Sequence, residues 1–166
     1  SIIEILRSWF KNGLRPWSKQ EPNSRLGWLV IIGTVPIVVL GLIFQDAIET
    51  ELRQLWIIGV MLIVFGLILG LADRIGSKTK QLGKLNLRSG LAFGFGQALA
   101  LIPGVSRSGG SITVGLMLGF TREAAARYSF LLAIPAVLGA GAHQFLGSYQ
   151  DLPEDLLAAT KCLEVG

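Results

Sequence analysis

Residues 101–113 read LIPGVSRSGGSIT, and the fold turns on how this stretch is understood. It sets one arginine, Arg107, among four hydroxyl residues (Ser106, Ser108, Ser111, Thr113) and three glycines (Gly104, Gly109, Gly110). LAFGFGQALA precedes it and VGLMLGF follows, neither carrying a charge. Pro103, Gly104, Gly109 and Gly110 oppose a straight helix through the centre of the apolar block 89–120. A charged side chain inside a bilayer segment is costly and is generally kept for a function. Small residues let backbone N–H groups converge, and hydroxyls add donors, which is the chemistry of an oxyanion or phosphate cradle.

The surrounding chain carries the same signature. Of 166 residues, 51% are hydrophobic and 16% charged, where a soluble domain carries about 25% charge. Three further apolar runs occur, at 26–44, 55–72 and 124–146, each close to the ~20 residues that span a bilayer; the first two are uncharged and the third carries only Arg127, near its start. Arg107 is the only charge deep inside these embedded segments. The composition is that of an all-α integral membrane protein. A net charge of +4 suits nucleic acid poorly as an explanation, because the basic residues fall in loops between apolar blocks, where topological charge bias accounts for them. One cysteine, Cys162, excludes an internal disulfide framework and matches no metal-site spacing.

Residues 1–25 carry Arg7, Lys11, Arg15, Lys19 and Arg25, with Ile2, Ile3, Leu6, Trp9 and Phe10 at near-helical spacing. Two readings fit: a helix at the membrane surface anchored by Trp9 and Trp17, or a loose connection ending at Pro22. Pro36 and Pro135 fall inside spans and predict kinks. Gly59, Gly66 and Gly70 give 55–72 a small-residue face with G-x-x-x-G at 66–70, a close-packing motif that also arises by chance.

Charge bias chooses the topology. Basic loops 1–25, 73–88 and 121–127 belong on the cytoplasmic side, and acidic segments 45–54 and 147–166 outside. A single crossing by 89–120 would put 121–127 and the tail on the wrong sides. A re-entrant helix–loop–helix puts every loop where its charge predicts. A half-helix over 89–101 rises roughly 18–20 Å, which carries the loop past the midplane of a ~30 Å hydrocarbon core. Irregular backbone at that depth must be buried in protein or line a polar cavity. Arg107 is therefore predicted to face an outward-opening cavity, with the helix from 111 aiming its positive end there.

Arg107 reads as a bidentate clamp on phosphate oxygens; the competing reading, an ion pair with another helix, lacks an acidic partner in any span. Ser106 and Ser108 read either as donors to the same anion or as helix caps. Ser111 and Thr113 read either as further phosphate-binding hydroxyls or, for one of them, as an N-cap of the next helix. Gly104 and Gly109 read as phosphate-binding positions, points of close approach where backbone N–H groups reach the anion. His143, the only histidine, is either a general base or a helix-contact residue. Gln97 either contacts the site or joins helices.

At PGVSRSGG the sequence resembles the bacterial undecaprenyl-pyrophosphate phosphatase family, the bacitracin-resistance phosphatases, whose signature is P-G-x-S-R-S-x-x-T. The likeness runs through GFGQALALIPGVSRSGGSITVGLMLGF to REAAARYSFLLAIP, and RLGWLVIIGTVPIVVLGLIF also resembles that family. It implies hydrolysis of undecaprenyl diphosphate to the monophosphate, recycling the lipid carrier of peptidoglycan synthesis in the plasma membrane. It implies two inverted repeats, each with a re-entrant helix pair, around an outward-facing site. Ser106, Arg107 and Ser108 match the phosphate-binding S-R-S, while Ser111 stands where the family usually has Thr. The resemblance also implies a divalent cation, magnesium or calcium, held by an E-x-x-x-E element, and a serine- and histidine-containing loop. Neither is present here, so the missing half of the fold is expected upstream of Ser1 and a last span beyond Gly166. The chain alone is then expected to bind diphosphate without turning it over. A homodimer is compatible with this reading. A transporter of a phosphate-bearing or anionic solute is the alternative, since broken helices aimed at an anion serve transporters too.

Overall fold

The computed structural model describes residues 2–12, 21–44 and 54–150, with side chains to 146. Trp17, Cys162 and the expected outer segments 45–53 and 151–166 lie outside the described residues. The helices are α1 (Ile2–Asn12), α2 (Pro22–Ile43), α3 (Leu55–Ile75), α4 (Leu87–Ala98), α5 (Arg107–Met117) and α6 (Arg122–Gln150). Short 3-10 turns cover Leu82–Lys84 and Leu99–Leu101. No strand occurs among the described residues; a single bridge pairs Lys80 with Phe120. The chain forms two compact units, Ser1–Ala136 and Val137–Gly166. In the second, the described residues continue α6, and those from Leu138 to Leu146 are exposed.

Among the described residues, three helices are long and apolar enough to cross a membrane: α2, α3 and residues Arg122–Leu146 of α6. With its all-helical fold, the chain is an integral membrane protein. The helix assignment runs unbroken through Pro36 and Pro135. Pro22 opens α2 in its first turn, where a missing N–H costs nothing. The N-terminal segment resolves in favour of a helix over Ile2–Asn12. Trp9 packs edge-on to Trp28 of α2 at 5.6 Å, and the Ser8 hydroxyl donates to Glu21 at 2.9 Å. Ile3 and Phe10 remain exposed.

The core of the first unit gathers Leu29, Phe93, Phe120, Ala125, Tyr128 and Leu132. Phe93 meets Tyr128 and Phe120 edge-on at 4.9 and 5.5 Å. The buried Tyr128 hydroxyl donates to the Leu29 carbonyl at 2.7 Å, tying α6 to α2.

Helices α4 and α5 form the hairpin about which α2 and α3 pack. Asn86 and Ser89 start α4 with a reciprocal capping box. A Cβ at Gly94 would strike the Gly33 carbonyl of α2, and one at Gly110 would strike the Gly96 carbonyl. These contacts bring helix backbones within touching distance. The motif glycines Gly59, Gly66 and Gly70 behave differently, with nothing within 4 Å of a Cβ placed there. Their face of α3 meets no described residue. Leu62, Ile63, Leu67 and Leu71 are exposed on the same helix, as suits a span in lipid.

The hairpin closes on itself. Gly119 (φ +85°) ends α5 in a Schellman turn, with Phe120 N–H donating to Gly115 O and Gly119 N–H to Leu116 O. The Thr79 and Lys80 N–H groups donate to Gly119 O, and Thr121 N–H to Lys80 O. Arg122 adds a two-pronged pair with Asp73 at 2.6 and 2.7 Å. The chain thus leaves the hairpin beside the point where it arrives.

Candidate functional site

The far end of the hairpin holds the arginine. Ile102–Val105 is a turn in which Val105 N–H donates to Ile102 O at 3.1 Å. Pro103 supplies the fixed φ of its second position and Gly104, at φ +95°, the positive φ of its third, the pattern of a type II turn. A Cβ on Gly104 would also lie 2.5 Å from the Ile58 carbonyl oxygen of α3. The turn and this approach both use Gly104, a task separate from holding phosphate.

Ser106 is the N-cap of α5, and its hydroxyl accepts the Gly109 N–H at 3.2 Å. The N–H that sequence reasoning offered to an anion through Gly109 is therefore engaged. Arg107 and Ser108 occupy the first two positions of the helix, and their N–H groups have no partner among the described residues. Ser108 Oγ lies 3.4 Å from Ser106 Oγ. Arg107 is exposed, and its guanidinium makes no hydrogen bond or ion pair with any described residue. The helix dipole adds partial positive charge at the same place. One full cation, two free N–H groups and two hydroxyls thus stand on a single turn of backbone.

Ser111 and Thr113, grouped with the phosphate donors by sequence, are buried. The Ser111 hydroxyl donates to the Arg107 and Ser108 carbonyls at 3.2 and 3.1 Å, and Thr113 to Gly109 O at 2.7 Å. Both hydroxyls turn back onto their own helix. Gln97 joins helices: it is fully buried and donates to Leu132 O at 3.3 Å. Its carbonyl oxygen has no partner. His143 is exposed and belongs to the second unit.

No group of three or more His, Cys, Asp or Glu lies together among the described residues. Asp73, at the opposite end of the hairpin, is taken by Arg122 and Lys78. The described residues therefore do not fit a divalent-cation site.

Fold and site together define a polytopic α-helical membrane protein whose broken hairpin carries a cationic helix N-terminus at its turn. The chain belongs to the bacitracin resistance protein BacA family, whose model matches residues 1–163. It is 53% identical to an undecaprenyl-diphosphatase of Pseudarthrobacter chlorophenolicus over 99% of its length and 62% of that relative's. It is 60% identical to undecaprenyl-diphosphatase 2 of Agrobacterium fabrum, covering 89% of this chain and 53% of that one. The Micrococcus luteus undecaprenyl-diphosphatase is 57% identical, with 90% and 54% covered. The chain thus spans between half and two thirds of the length of these relatives.

Proposed function

We propose that the intact protein hydrolyses undecaprenyl diphosphate to undecaprenyl phosphate and inorganic phosphate, with the hairpin turn holding the diphosphate. The observation that carries this reading is the Arg107 guanidinium on the first turn of α5, exposed and without a partner among the described residues. Family membership and the names of the relatives support the choice of reaction; a transporter of anions has no comparable support.

In the proposed step, a water oxygen attacks the terminal phosphorus and gives up its proton to solvent; if a serine hydroxyl attacks instead, water then hydrolyses the phosphoserine to release the same inorganic phosphate. The bond from that phosphorus to the bridging oxygen breaks, and its electron pair stays with the undecaprenyl phosphate. Negative charge grows on the phosphoryl and bridging oxygens. Arg107, the N–H groups of Arg107 and Ser108, and the Ser106 and Ser108 hydroxyls neutralise it from fixed positions, with no reorganisation when the bond breaks. Gly104 and Gly109 shape this turn, while the Ser111 and Thr113 hydroxyls bond back onto the helix behind it.

The proposal places the hairpin as a re-entrant segment of the bacterial plasma membrane, its turn opening outward. It assigns the protein to recycling of the cell-wall lipid carrier and to bacitracin resistance. A divalent cation, magnesium or calcium, is part of the proposal as a requirement of the intact protein, held by residues other than those described. The test is phosphate release from undecaprenyl diphosphate by the purified intact protein. Release supports the hydrolase; a folded intact protein that binds the lipid without releasing phosphate refutes it.

A further inference from the structure

At the end of the hairpin away from Arg107, the loop before α4 and the Schellman turn after α5 enclose a recess of about 570 Å³. Lys80, Lys84 and Arg88 line it together with Asn86, Leu118 and Phe120, and no carboxylate is among its lining residues. The three cations are not equivalent. Lys80 Nζ donates to Leu118 O at 2.7 Å and so fastens the loop to α5. Lys84 and Arg88 are exposed and make no hydrogen bond or ion pair with any described residue. The carboxylate on the neighbouring helix, Asp73, is already paired with Arg122 and Lys78.

Topological charge bias calls for basic residues on this side of the membrane, but not for their convergence on one recess without a counterion. The N-terminus of α4 opens at the recess through Asn86 and adds the positive end of its dipole. Leu118 and Phe120 give an apolar wall beside the cations. α4 separates the recess from the Arg107 turn by roughly 18 Å of helix, so the two are distinct places.

We propose that this recess is a second phosphate site, taking a phosphate group presented either by a lipid headgroup of the leaflet it faces or as free phosphate. Lys84 and Arg88 hold the anion. For a lipid, the apolar wall receives the first carbons of the ester. Basic pockets at the ends of membrane helices bind lipid phosphates by this combination.

The test uses the intact protein in an Arg107→Ala background, so that the hairpin turn contributes no phosphate binding. Native mass spectrometry compares retention of phosphatidylglycerol with that of diacylglycerol bearing the same chains, with inorganic phosphate as competitor. Phosphatidylglycerol is expected to be preferred at least about tenfold, and Lys84→Gln/Arg88→Gln to reduce this to within about threefold. Arg7→Gln/Lys11→Gln, which removes equal charge from α1, is expected to leave the preference intact. Displacement by millimolar phosphate identifies free phosphate as the ligand; resistance to it identifies the lipid. An unchanged preference in the folded Lys84/Arg88 variant, or an equal loss in the α1 variant, overturns the proposal.

Discussion

At the scale of single residues, the chemistry rests on which donors are free and which are spent. Arg107 and the N–H groups of Arg107 and Ser108 have no partner among the described residues; the Ser111 and Thr113 hydroxyls are spent on backbone carbonyls. Ser111→Ala is therefore expected to keep phosphate release by the intact protein within about threefold of wild type, because a buried intrahelical bond of this kind contributes little to helix stability. Ser106 has two jobs that variants can separate. Ser106→Ala removes both the cap, at about 1 kcal/mol, and the hydroxyl, whereas Ser106→Gly restores most of the cap alone. Thermal stability is expected to return with glycine while phosphate release stays at least about tenfold down. Full recovery of activity in Ser106→Gly would reduce Ser106 to a cap.

At the scale of the element, the hairpin works because its helices touch through backbone. Gly110→Ala places a methyl against the Gly96 carbonyl, and overpacking of this sort costs about 1–3 kcal/mol. A melting temperature several degrees lower is expected in detergent, with a parallel loss of phosphate release as Arg107 shifts. Gly66→Ala, which meets nothing in the described chain, tests the converse: its melting temperature should be no lower than the wild-type value. The two sites also show what the sequence could convey. Long apolar runs with few or no charges announced the spans, because a bilayer tolerates few charges, and Pro103 with the glycines announced the break, because both disrupt a helix. The Gly66-x-x-x-Gly70 spacing pointed to a packing face that meets no described residue. Gly33 with Gly94 and Gly96 with Gly110 make the close contacts instead. Close approach depends on which helices become neighbours in space, and spacing within one helix does not carry that information. The spent hydroxyls of Ser111 and Thr113 were hidden for a similar reason, since composition does not reveal the direction of a rotamer.

At the scale of the whole molecule, a lipid-facing bundle presents a cationic turn at one end of its hairpin and a basic recess at the other. The described residues gather no cation ligands, and the relatives extend well beyond this chain's length. On the proposed cation requirement, chelation is expected to stop phosphate release by the intact protein, with magnesium or calcium restoring it. The helical circular dichroism is expected to stay unchanged, because the described helices pack without a cluster of cation ligands. The central claim is that Arg107 clamps the substrate phosphate, and its most direct test is the rate of phosphate release from undecaprenyl diphosphate by intact wild-type, Arg107→Lys and Arg107→Ala proteins of equal helicity. The expected result is a loss of at least about 100-fold in Arg107→Ala, with lysine recovering only a small part because it lacks the two-pronged fork. Turnover by Arg107→Ala at the wild-type rate would contradict the claim.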